Sequence, residues 1–345
     1  MIAIFKKSAA LRIMGAAVLV GMAAGCSGDR KPTTVVADKF PTEETLKGER
    51  VDLDLAEYLS NIVEPAGDYY VFNAIRSKYC FQVYDRDFKL VDTVVSKGGG
   101  PEELPGGGLY YGQWSGDPAN PEILAFNNAQ QRLAKMSIRP FEGISTEVAL
   151  PLSGNFDPKW IYRMSDTLYV GMNLDVVKGA TLFAYNPQTK AVRHADSPFE
   201  FAATTNLFEA TQQSMAVDTE NGRICTAYMA FPYLTIYDRD FNLIRKIAVG
   251  EEVSTATWSP SDKYAELIHV SYYDGNILVI HAPADGSDSS LMVFDGEGNP
   301  KAKYGIGKAI WYFVDEDAGR LVTANYDCEQ DVMYLMNYPI PYVLM

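Results

Sequence analysis

The chain has 345 residues, 47% hydrophobic, 12% aromatic and 21% charged, a globular composition that excludes disordered and fibrous classes. A formal net charge of −14 excludes nucleic acid as a partner, because phosphate contacts need a basic surface. It also argues against electrostatic adhesion to anionic lipid. The length allows two domains or one large all-β domain.

At the N-terminus Lys6, Lys7 and Arg12 precede an apolar run, Ile13 to Gly25. That run is shorter than the roughly 20 residues needed to span a bilayer, so residues 1–25 read as a secretory signal peptide. Ala23-Ala24-Gly25 leads directly into Cys26, the arrangement of a bacterial lipobox, with Ala23 where a large aliphatic residue is usual. Lipidation of Cys26 would tie the chain to a membrane through several acyl chains, each buried CH₂ contributing ~0.8 kcal/mol. Residues 26–47 are polar and aperiodic and read as a tether. Residues 48–345 are left for the folded domain.

From there the chain marks its own period. Val83–Leu90 reads V-Y-D-R-D-F-K-L and Ile236–Leu243 reads I-Y-D-R-D-F-N-L, each a strand running through a polar turn into another strand. Weaker copies fall between and after them. Tyr84, Met136, Tyr185, Tyr237 and Phe294 are separated by 52, 49, 52 and 57 residues. Ahead of each marker stands a further apolar strand, such as Tyr69–Asn73, Ile123–Asn127 or Asn276–His281. Units of about fifty residues, each of four short strands, predict an all-β, six-bladed β-propeller with four-stranded blades. A β-sandwich pair or a seven-bladed ring does not account for this spacing. The last unit is short, and Glu49–Leu55 alternates as a strand, so the N-terminal strand is expected to close the last blade and remove a free edge.

The lipobox-like leader, the fifty-residue period and Ser96–Leu104 (S-K-G-G-G-P-E-E-L) together resemble the TolB-like six-bladed propeller lipoproteins of Bacteroidetes. Members carry G-K-G-x-G-P-x-E-F after the first blade. Lys97, Gly98, Gly100, Pro101 and Glu103 match, while Ser96 and Leu104 replace Gly and Phe. The resemblance implies the propeller fold and a lipid-anchored place in the cell envelope, at the outer membrane, its periplasmic or surface face undecided. It implies no reaction.

Residues with chemical potential are few. Gly98-Gly99-Gly100 invites a phosphate-loop reading, but Pro101 and two carboxylates follow instead of a helix N-terminus, which makes it a structural turn. The three histidines are His194, His269 and His281. His269 falls in the innermost strand of blade 5 and reads as a packing residue, and the other two as surface residues. Asp218, Asp274 and Asp315 follow innermost strands, where they either approach the central channel or cap hairpins. Tyr110-Tyr111, Trp114, Tyr272-Tyr273 and Trp311-Tyr312-Phe313 fall in innermost strands or their ends; most should wedge between blades, and some must face the channel or its mouth, where they could stack on a sugar ring or peptide. Of the cysteines left after Cys26, ring closure brings Cys80 and Cys328 near each other and leaves Cys225 apart. No bridge is expected. No catalytic residue, metal ligand or cofactor is assigned.

The connections from an outermost strand to the next innermost strand all lie on one face of a propeller. Ser96–Gly108, Asp196–Gln213 and Gly250–Tyr264 are long connections of this kind, and insertions on one face mark a binding face. Phe199, Asn206, Phe208, Glu209, Trp258 and Tyr264 are the candidate ligand-binding residues. Trp258 leads, because a Trp among Thr255, Thr257 and Ser259 has little core reason to be there; the alternative is a lid packed on its own propeller. The favoured function is a non-catalytic envelope lipoprotein binding a small molecule, glycan or envelope protein. The alternative is a propeller hydrolase or lyase acting on a polysaccharide or peptide through channel carboxylates, with or without a metal.

Overall fold

With period-two alternation throughout and helical periodicity almost missing, this chain has only sheets with which to bury its apolar faces. The computed structural model describes residues 34–53, 59–74, 76–151, 157–175, 179–259, 261–262, 264, 266–327, 330 and 332–345. The leader, Cys26 and Cys328 lie outside them. Six four-stranded antiparallel sheets follow one another along the chain. Their first strands are Leu59–Ala66, Leu109–Asp117, Pro158–Ser165, Gln213–Asp218, Glu266–Tyr273 and Ala309–Asp315. Each first strand touches the next around a ring, and the sixth touches the first. The fold is a six-bladed β-propeller.

The core follows the same division, with one buried apolar cluster at each blade junction. Phe81, Leu104 and Tyr110 meet between blades 1 and 2, Phe126 and Phe183 between blades 2 and 3, and Leu234, Ile236 and Phe294 between blades 4 and 5. Burial of each such side chain contributes ~1.5–3 kcal/mol, so the ring is held chiefly by sheet-on-sheet packing.

The repeated pairing of an aromatic residue with Asp, Tyr84-Asp85, Tyr237-Asp238 and Phe294-Asp295, has a local cause. Asp85, Asp238 and Asp295 each close the outer hairpin of a blade, Oδ1 accepting two backbone N–H groups from the turn at 2.8–3.0 Å. The turns need one left-handed residue, supplied by Phe88, Phe241 and Gly298 at φ 61°, 65° and 83°. Burial alone would raise the carboxyls of Asp238 and Asp295, but the donors from the turn prevail and hold both below the ordinary value.

Register confirms the period with one displacement. Tyr84 lies opposite Tyr70, Tyr185 opposite Tyr169, Tyr237 opposite Ile224 and Phe294 opposite Ile277, in each case the second residue of the preceding strand. In blade 2 that place, opposite Pro121, belongs to Ile138, while Met136 pairs with Ile123 two residues further in. The second strand of that blade, Asn120–Asn127, has eight residues where Tyr69–Ala74 of blade 1 has six, so a marker chosen by spacing lands two positions early on the same face.

The N-terminal segment departs from the expected tether. Thr34–Ala37 (β1) pairs parallel with the outermost strand of blade 4, and Thr42–Thr45 (β2) with that of blade 5. An open sheet edge presents unpaired N–H and C=O groups that an extended segment can satisfy without an apolar pattern. Glu49–Val51 (β3) then pairs antiparallel with Val332–Pro339 and completes blade 6, closing the ring as expected. The junction of blades 6 and 1 also carries a polar latch. Asp315, 3% exposed, pairs with Arg86 and Arg320 and accepts the Tyr70 hydroxyl, and Arg320 Nε donates to Tyr70 Oη at 3.0 Å.

Candidate functional site

A seventh buried cluster belongs to no blade junction. Phe199, Ala210, Tyr228, Phe231, Tyr233, Ala248 and Trp258 pack together where the connections into blades 4 and 5 fold over blade 4. Phe199 sits edge-on to Tyr228, Phe231 and Tyr233 at centroid distances of 5.0–5.1 Å. The two connections are joined by Thr255 Oγ1, which donates to the Glu200 carbonyl at 2.9 Å. A one-turn helix, Leu207–Ala210, is pinned to blade 3 by Thr211, whose Oγ1 accepts the Ala180 N–H and donates to the Leu207 carbonyl, both at 2.6 Å.

Beside this cluster, on the same face, opens a cleft of ≈ 560 Å³ between blades 4 and 5. Trp258, Tyr264 and Met229 line it, and Glu209, Asp262 and Glu266 bring three carboxylates. None of the described residues lining it is basic. Its negative, partly aromatic lining suits a neutral or cationic guest, because a cation gains from both carboxylates and ring faces.

Three of the six candidates, Trp258, Tyr264 and Glu209, therefore meet in one cleft. Phe199 lies in the cluster behind it, and neither Phe208, half-buried, nor Asn206, exposed, lines it. Trp258 is only 7% exposed, which corrects the expectation of a solvent-facing ring: the indole is a lid on its own propeller, and one surface of it faces the cleft. Removing so large a ring from water contributes more than a polar loop loses in closing over it. Its Nε1 is buried with no hydrogen-bond partner among the described residues. Asp262, Glu266 and Met229 were not singled out from sequence, although two carboxylates flanking Tyr264 were a signal.

The channel holds a second constellation. Tyr111, Trp160, Trp311 and His269, from blades 2, 3, 6 and 5, form a chain of ring contacts, with centroid distances of 4.5, 6.1 and 3.6 Å in turn. Trp160 takes a left-handed φ of 50° at a bulge in its strand. Glu64 of blade 1 points into this group, its Oε1 accepting the Trp311 indole N–H at 3.0 Å and lying 4.0 Å from His269 Nε2. Gly112, at φ 79°, makes the room: a Cβ there would stand 3.1 Å from Glu64 Oε2. Desolvation drives the Glu64 carboxyl up to about 8 against the Trp311 hydrogen bond, and drives His269 down to about 3. Glu64, a lone carboxylate in an apolar innermost strand, was missed in the sequence.

The remaining expectations resolve locally. Glu103 fills the glycine-rich loop, its Oε2 accepting the Gly100 N–H at 2.7 Å, and a Cβ on Gly98 would meet that oxygen at 2.1 Å; the loop is a structural turn. Asp218 caps its own turn through the N–H groups of Glu220 and Asn221, Asp274 stands exposed in the next blade's turn, and Asp315 belongs to the latch. His269 packs on Trp311; His194 is exposed, and His281 is half-buried instead of superficial. Trp114 is 39% exposed, whereas Tyr110, Tyr312 and Phe313 wedge between blades as expected. Cys80 and Cys225 are free and buried, and burial pushes the Cys80 thiol up to about 11. Among the described residues no three His, Cys, Asp or Glu side chains converge as a metal-holding group.

No protein-family model matches this chain, and no curated protein matches it in sequence. Its likeness is to solved structures. A member of the DUF4221 family from Bacteroides vulgatus superposes with a TM-score of 0.60 at 12% identity, over 85% of this chain and 96% of that one. Regucalcin from Agrobacterium tumefaciens, a calcium-binding protein, gives 0.49 at 10% identity, over 86% and 96%. At such identities the likeness concerns the fold alone.

Proposed function

We propose that this chain is a ligand-binding lipoprotein of the bacterial cell envelope, TolB-like in kind, which takes a neutral or cationic ligand in the cleft between blades 4 and 5. The cleft carries the reading: it lies where the long connections gather, and it joins two aromatic side chains to three carboxylates with no basic residue among its described lining. Scaffolds of repeated units place their binding surface where such connections converge. The leader and Cys26 support the anchor, and the net charge of −14 disfavours polyanionic partners. Hydrolysis by paired channel carboxylates is less well supported. Glycoside cleavage needs two carboxyl groups flanking the bond, and Glu64 faces an aromatic stack while Asp218 and Asp315 are engaged elsewhere.

Choline serves as the probe cation. It should bind the wild-type protein, and Glu209→Gln/Asp262→Asn should weaken it at least tenfold, about 1.4 kcal/mol, with the melting temperature unchanged because both carboxylates are exposed. Equal affinity in the variant overturns the assignment of the cleft. For the anchor, Cys26→Ser should move the protein from the membrane to the soluble fraction; unchanged membrane retention overturns it.

A further inference from the structure

A second cleft, of ≈ 340 Å³, opens between blades 3 and 4 on the other side of the aromatic cluster and shares no lining residue with the first. Its walls are aromatic and aliphatic: Phe199, Phe201, Tyr228, Tyr237 and Leu182. Among the lining residues the one charged side chain is Asp196, which is exposed. Gln213 also lines it, 5% exposed, and its Oε1 is buried with no hydrogen-bond partner among the described residues; Thr205 Oγ1, which lines the cleft too, is likewise buried and has no partner among them. The neighbouring Thr211 hydroxyl, by contrast, is fully used between Ala180 and Leu207.

These features belong to a built site. An orphaned buried acceptor costs about 1–3 kcal/mol, and natural interiors rarely leave one without something to fill it. Small-molecule sites combine an apolar wall with a few convergent polar groups in volumes from about 300 Å³ upward. The lining here offers no counter-charge in its interior, so an ion entering it would lose its hydration uncompensated. We propose that this second cleft binds a small uncharged molecule of one aromatic ring bearing a hydroxyl or N–H donor, the ring against Phe199 and Tyr228 and the donor on Gln213 Oε1.

Phenol and toluene, nearly equal in shape, separate this from unspecific apolar uptake. In calorimetric titration of the intact protein, phenol should bind at least tenfold more tightly than toluene, although toluene is the more apolar. Gln213→Leu should cost phenol at least tenfold and leave toluene unchanged or improved. Because Gln213 begins an innermost strand and its replacement risks the fold, Ala203→Trp provides a second variant: it fills the cleft from an exposed position and should abolish phenol binding with the melting temperature retained. Failure of phenol to bind, equal binding of phenol and toluene, or phenol binding that survives both substitutions would overturn the proposal. None of these outcomes bears on the choline cleft, whose lining is separate.

Discussion

At the scale of single residues, the least ordinary group is Glu64. A carboxyl raised to about 8 in the folded state, against 4.5 in the open chain, binds its proton more tightly when folded. Its contribution to stability is therefore complete below pH 4.5 and lost as pH rises through 8. His269, lowered from 6.5 to about 3, acts oppositely: its contribution is complete above pH 6.5 and lost as pH falls through 3. Between 4.5 and 6.5 the two slopes oppose each other, so the interval from 6.5 to 8 isolates Glu64. Thermal melts should show the wild type losing stability over that interval, by on the order of 1 kcal/mol, because the unfolded chain has already released the proton that the folded state still holds. Glu64→Gln should lack this loss and exceed the wild type at pH 8.5. Parallel pH profiles for the two proteins would contradict a desolvated, protonated Glu64. Sequence reading reached His269 but not Glu64, because a single carboxylate in a strand carries no sign of the four aromatic or imidazole rings that other blades bring to it.

At the scale of elements, strands and turns were largely legible, since each rests on local chemistry. The Asp of Y-D-R-D-F accepts N–H groups from its own turn, so the motif recurs wherever the same hairpin recurs, and the period could be read from it. Met136 shows the limit: spacing measures chain length, whereas equivalence is set by pairing, and a second strand two residues longer in blade 2 than in blade 1 shifts the count. β1 and β2 were illegible for a related reason. Their pairing partners supply the pattern, and T-V-V-A and T-E-E-T need only be extended. A chain beginning at residue 47 keeps β3, and so keeps the closed ring, but exposes the outer edges of blades 4 and 5. It should melt at a lower temperature and aggregate at concentrations where the full chain stays monodisperse, because bare edges pair between molecules. Light scattering alongside thermal melts checks this; unchanged melting and scattering would show that β1 and β2 protect nothing.

At the scale of the whole molecule, six junction clusters build the ring and a seventh, off the ring, shapes the two clefts. The ring was readable because its repeat is written in the chain. The seventh cluster was not, since Phe199 and Trp258 come from separate connections, Tyr228 ends the second strand of blade 4, and the three meet only after the propeller has closed. Long connections on one face did locate the region, and Trp258 was picked for its unlikely polar surroundings, yet those surroundings hid its burial. That burial changes the useful test. Trp258→Ala would open a cavity costing about 3–5 kcal/mol and confuse folding with binding. The indole N–H is the better reporter. The chain has four tryptophans: Trp258 at the cleft, Trp160 and Trp311 in the channel, and Trp114 within the first strand of blade 2. Titration of ¹⁵N-labelled protein with choline should therefore displace one indole cross-peak, that of Trp258, identified by its loss in Trp258→Phe. Movement of the Trp160 and Trp311 peaks instead, or of none, would contradict a ligand site between blades 4 and 5.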